Sequence, residues 1–97
     1  MRPSDVLEQN REAIRDATKR FNAANPRVFG SVARGEDRPD SDLDILVDAL
    51  PGTTLFDLGG LLEELSDMMT GTDVHLLTMG NLPERFRFWV VEEARPI

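Results

Sequence analysis

Ninety-seven residues, 40% apolar and 30% charged, suit one small globular domain and exclude a disordered chain. A net charge of −7 excludes a general nucleic-acid binder, which needs a basic face, and favours a metal cation or a basic protein as partner. Cysteine is absent, which excludes a disulfide framework and a thiolate metal site; with no membrane span or signal-peptide pattern either, the expectation is a cytoplasmic protein with no membrane partner.

In chain order, residues 4–23 read as a helix, with Ser4 as N-cap and Val6, Ala13, Ala17 and Phe21 at helical spacing. Asn25-Pro26 is its expected stop, because the residue before proline avoids helical geometry. Arg27-Val28-Phe29 is a short strand that runs into Gly30-Ser31, and residues 34–41, RGEDRPDS, are loop by composition. Leu43 to Val47 is a second strand, stopped by Pro51-Gly52. Thr53 or Thr54 caps a helix to about Met69, with Leu55, Leu58, Leu62 and Leu65 as the expected buried stripe, and Gly59-Gly60 weakens it from within. Asp73 to Thr78 forms a third strand. Asn81 then caps a last helix with Pro83 in its first turn and Phe86, Trp89 and Val90 on one side. The order α-β-β-α-β-α makes an α/β (α+β) fold: a small mixed sheet of three or so strands flanked by helices, in one domain over residues 1–97.

Chemistry concentrates in FGSVARGEDRPDSDLDILVD, residues 29–48. Strand side chains alternate, so Asp42 and Asp44 share one face while Leu43 and Ile45 take the other. Like charges so placed repel unless a cation lies between them, and oxygen-only donors favour a hard ion such as Mg²⁺. Gly30 allows close backbone approach to a ligand, and Ser31 offers a hydroxyl and an amide to a phosphate oxygen. Phosphate donors and metal-binding carboxylates in one loop–strand unit describe a nucleoside-triphosphate site.

Rival motifs fail on particulars. An EF-hand loop starting at Asp40 would need glycine and glutamate where Ile45 and Pro51 stand. Lys19 follows no glycine-rich turn, which excludes a P-loop, and the sole histidine, His75, with no cysteine, excludes a zinc centre.

Gly30-Ser31, ten residues, then Asp42-Leu43-Asp44 resembles the G-S-x10-D-x-D signature of the polymerase-β-type nucleotidyltransferases. The stretch around it is similar to the minimal nucleotidyltransferase (MNT) antitoxins of HEPN/MNT toxin–antitoxin modules, over nearly the whole chain. The resemblance implies a nucleotidyltransferase fold and the Mg²⁺-dependent transfer of AMP from ATP to a tyrosine hydroxyl of a HEPN ribonuclease toxin, which silences it. It assigns the β- and γ-phosphates to Gly30 and Ser31, with Arg34 as a further phosphate contact, and metal binding and catalysis to Asp42 and Asp44. A third carboxylate is expected on the last strand. His75 occupies that aligned position, and Asp73, two residues earlier, is the alternative ligand. If neither serves, the implied function is a non-catalytic antitoxin that binds nucleotide and metal and neutralises the toxin by contact.

Overall fold

The computed structural model describes residues 1–97. Helix α1 (Pro3–Arg20) starts just before the expected Ser4 cap. Pro3 takes a first-turn position where its missing N–H costs nothing, and the Arg2 N–H donates to the Asp5 carboxylate at 3.1 Å. Leu7, Ile14 and Ala17 are its buried stripe, whereas Ala13 faces solvent. The helix ends earlier than Asn25-Pro26. Asn22 adopts a left-handed conformation (φ 59°), which asparagine tolerates better than most residues, and turns the chain into a strand at once.

Strand β1 (Ala23–Phe29) therefore contains the Asn-Pro pair that was expected to precede it. It runs antiparallel to β2 (Leu43–Ala49), pairing Ala24 with Asp48 and then Arg27 with Leu46, so β1 carries one residue more than its partner. A bulge is where a strand accepts proline, which has no amide proton to give the ladder. Helix α2 (Ser31–Arg34) is one turn between these strands. Helix α3 (Leu55–Met68) crosses from β2 to β3 (Val74–Thr78), which lies parallel to β2. A 3₁₀ turn (Met79–Asn81) leads to α4 (Glu84–Glu93), and β4 (Arg95–Pro96) returns to pair with β1.

The sheet is thus four-stranded and mixed, in the order β3-β2-β1-β4. The fourth strand carries no sequence signal because it is two residues long and half proline. Tertiary bonds fasten it instead: the Ile97 N–H donates to the Pro26 carbonyl at 3.0 Å, and the Arg15 guanidinium to the Ile97 carbonyl at 2.7 Å. Asn81 caps the 3₁₀ turn rather than α4, its side-chain oxygen accepting from the Thr78 N–H at 3.1 Å.

One face of the sheet is the core. Leu43, Ile45 and Val47 of the central strand β2 are fully buried with Ile14 of α1 and Leu61 and Leu65 of α3. The stripe of α3 is rotated from expectation: Leu61 joins it and Leu55 is 86% exposed. The helix starts at a reciprocal cap between Thr54 and Asp57, and it holds through Gly59-Gly60. A Cβ at Gly60 would lie 2.6 Å from the Phe21 ring, so that glycine lets α1 and α3 close together, whereas a Cβ at Gly59 meets nothing. Gly59→Ala is expected to stabilise the protein by about 1 kcal/mol through helix propensity, raising Tm by roughly 4–8 °C. Gly60→Ala should lose that gain against Phe21; thermal melts of the two variants check the contrast.

Candidate active site

The site sits on the other face of the sheet, where β1 ends and β2 begins. Phe29 pairs with Asp44, so the next residue, Gly30, passes directly beside the Asp44 side chain. Gly30 has φ 76°, and a Cβ built there would collide with the Asp44 carboxylate. Both facts demand glycine. The single turn of α2 follows and closes on Gly35 in the left-handed conformation. The return loop is pinned by Asp37, a buried carboxylate that accepts the Ser4 N–H at 2.9 Å. Burial pushes the Asp37 carboxyl up, but hydrogen bonds from the Ser4 backbone and side chain outweigh it and hold the group below its ordinary value. No motif flagged Asp37, although it ties the site loop to α1.

Asp42 and Asp44 emerge on one face as expected, their side chains 47% and 23% exposed. His75, directly across from Asp44 on β3, leans over both: Nδ1 is 3.2 Å from Asp44 Oδ1, and Nε2 is 3.8 Å from Asp42 Oδ2. Burial raises the Asp44 carboxyl above the ordinary carboxylate range; the neighbouring charge of Asp42 adds to this, and His75 and Arg34 oppose it. Asp73 lies exposed in the turn before β3, its carbonyl accepting the Leu43 N–H at 2.8 Å. No three His, Asp or Glu side chains stand together in an arrangement that would by itself hold a metal ion. The Asp42–Asp44 pair offers a divalent cation two carboxylates, one of them partly desolvated, and the third donor within reach is an imidazole.

Beside the carboxylates is an anion-accepting corner. The Gly30 N–H donates to Glu93 Oε1 at 2.5 Å, and the Arg34 guanidinium lies 3.0 Å from both Glu93 oxygens. Arg34 Nε donates to Glu36 Oε2 at 3.1 Å. These two carboxylates, Glu36 foremost, hold Arg34 firmly protonated. Ser31 opens α2 next to Gly30. Glu93, the last residue of α4, could not be found by sequence reading: it lies 63 positions from Gly30 and belongs to no motif. The fold therefore brings Gly30, Ser31, Arg34, Asp42, Asp44, His75 and Glu93 into one region and leaves Asp73 at its margin.

A cavity of about 240 Å³ lies elsewhere, between the flank of α3 and β3, lined by Leu58, Leu62, Leu76, Thr78 and neighbours. It offers no ionisable group. The open carboxylate face is therefore the candidate site of chemistry.

The chain and its fold have known counterparts. The sequence model of the family described as "Polymerase beta, Nucleotidyltransferase" matches residues 12–97. The chain belongs to the polymerase-β nucleotidyltransferase family. Among relatives of this nucleotidyltransferase is "Putative protein adenylyltransferase MJ0435" of Methanocaldococcus jannaschii, 37% identical over 67 residues, which cover 69% of this chain and 71% of the relative. A solved structure described as a "putative minimal nucleotidyltransferase" superposes with a TM-score of 0.86 at 41% identity, covering 97% of this chain and 95% of the other, and supports an MNT-type nucleotidyltransferase. A toxin–antitoxin crystal structure with AMP-PNP shares the fold with a TM-score of 0.73 at 21% identity, over 90% of this chain and 71% of that one.

Two expectations follow for the nucleotidyltransferase. Gly30→Ala combines a left-handed φ with a collision at Asp44, so a loss of about 1–3 kcal/mol is expected by chemical denaturation. A folded-state pKa raised above the unfolded value means that Asp44 costs stability as pH rises through and beyond the ordinary carboxylate range, and nothing when protonated. In chelator, Asp44→Asn should therefore melt higher than the parent at neutral pH, with the difference shrinking as pH falls below that range.

Proposed function

We propose that residues 1–97, acting as a single minimal domain, transfer AMP from ATP to a hydroxyl, a tyrosine by preference, on a cognate HEPN ribonuclease toxin and so neutralise it. The observation that supports the reading most is the juxtaposition at the end of β1. An amide and a guanidinium already engaged with a carboxylate anion lie next to a carboxylate pair of which one member, Asp44, is partly desolvated. The name of the M. jannaschii relative favours adenylyl transfer, and the toxin–antitoxin neighbour favours a toxin as acceptor. The chain has no tyrosine, so a tyrosine acceptor must lie on another molecule. No helix is long and apolar enough to cross a membrane; under this reading the working compartment is the cytoplasm.

In this mechanism the Gly30 N–H, the Ser31 hydroxyl and Arg34 would hold the terminal phosphates of ATP, and Asp42 and Asp44 would hold Mg²⁺. Mg²⁺ held there would supply neutralisation of the charge that develops on the phosphate oxygens during an in-line displacement. Asp44, close enough to Gly30 that a Cβ there would collide with it, lies beside the phosphate corner. That proximity turns binding into positioning, the larger part of catalysis in phosphoryl-type transfer.

His75 favours a second reading. An imidazole stands across from Asp44 where the family resemblance implies a carboxylate, and imidazole suits softer metals than Mg²⁺. On this reading the chain neutralises by contact, with nucleotide as a structural ligand. The two separate in one experiment: incubation with labelled ATP, Mg²⁺ and a cognate HEPN protein. Transfer is expected with the parent and lost, by at least about a hundredfold, in the double variant Asp42→Ala, Asp44→Ala. Toxin neutralisation that survives the double change would support contact alone.

A further inference from the structure

The carboxylate of Glu93 makes the contacts that an incoming phosphate needs. It takes the Gly30 N–H with one oxygen and the Arg34 guanidinium with both, and carboxylate and phosphate oxygens compete for such donors with the same charge-assisted bonds. We propose that Glu93 is an internal stand-in for phosphate, which a nucleoside triphosphate must displace from Gly30 and Arg34 in order to bind. This rests on the nucleotide reading above and adds to it an affinity-setting residue outside the signature.

Three features fit a side chain that is held but releasable. Glu93 ends α4, and Ala94 after it is already extended, so the carboxylate swings at a helix end rather than within a packed turn. No residue of α4 is buried, so Glu93 can turn away without breaking a core contact of its helix. Arg34 stays oriented without Glu93, because its Nε is bound to Glu36. Release would leave a vacant amide and a vacant edge of a guanidinium fork facing the carboxylate pair. In the absence of nucleotide, Glu93 keeps these donors satisfied and repels stray anions; with nucleotide, it subtracts from affinity.

The test is calorimetric titration of the full chain with AMP-PNP in MgCl₂ and, separately, with inorganic tripolyphosphate, which isolates the phosphate corner from the base. Glu93→Gln keeps the shape and removes the charge; affinity for both probes is expected to rise about tenfold. Glu92→Gln, the same charge change on the adjacent exposed residue, should leave affinity within about twofold. Equal gains in the two variants would overturn the proposal in favour of a general field effect, as would unchanged or weaker binding in Glu93→Gln while the parent binds. Binding in neither parent nor variant would overturn the nucleotide reading itself. Should Glu93→Gln fail to fold, the parent protein decides: its Glu93 carboxyl carbon resonance is expected to move on addition of tripolyphosphate, and a resonance unmoved at saturation contradicts displacement.

Discussion

Two carboxylates on one face of a strand repel each other, and the rest of the site is arranged around that repulsion. Asp42 and Asp44 extend from β2, the central strand, whose opposite face carries the buried Leu43, Ile45 and Val47. Turning the acids inward would bury unpaired charge, and turning the leucine and isoleucine outward would empty the core, so the register is fixed by the apolar side. The acids therefore stay together. His75 from one neighbouring strand and the Gly30 backbone from the other close around Asp44, and burial raises its carboxyl above the usual range.

A carboxyl raised in this way, at a cost to stability, is a mark of a candidate functional site. A solvated pair of acids at a strand end would need neither a glycine pressed against it nor a histidine across it. Gly30 is where the two halves of the site meet: its missing Cβ admits the Asp44 carboxylate, while its amide serves the anion corner. One residue thus joins the carboxylate pair to the corner whose amide and guanidinium bind the Glu93 carboxylate.

The local parts of this architecture were legible in the sequence. Gly30-Ser31 and Asp42-Leu43-Asp44 need only strand alternation and a turn to take up their relation, and the helices and three longer strands follow from periodicity. What escaped was what depends on contacts remote along the chain. Glu93 reaches Gly30 from the last helix, β4 is held by bonds to Arg11, Arg15, Pro26 and Ala33, and Asp37 is buried because α1 starts beside it. The Asn-Pro pair misled for a related reason: a left-handed Asn22 had already ended the helix, and a bulge accommodated the proline. His75 was visible as a departure from the family pattern, but its reach toward both carboxylates required the parallel pairing of β2 with β3.

The claim on which all this turns is that one divalent ion lies at Asp42 and Asp44 with its triphosphate at Gly30. Substoichiometric Mn²⁺ added with AMP-PNP to isotope-labelled protein locates the ion directly, because a paramagnetic centre broadens the resonances nearest to it. Selective loss of the Gly30, Asp42, Asp44 and His75 signals, dependent on the nucleotide, is the expected result. Broadening spread over other surface acids, with those four resonances intact, would contradict it.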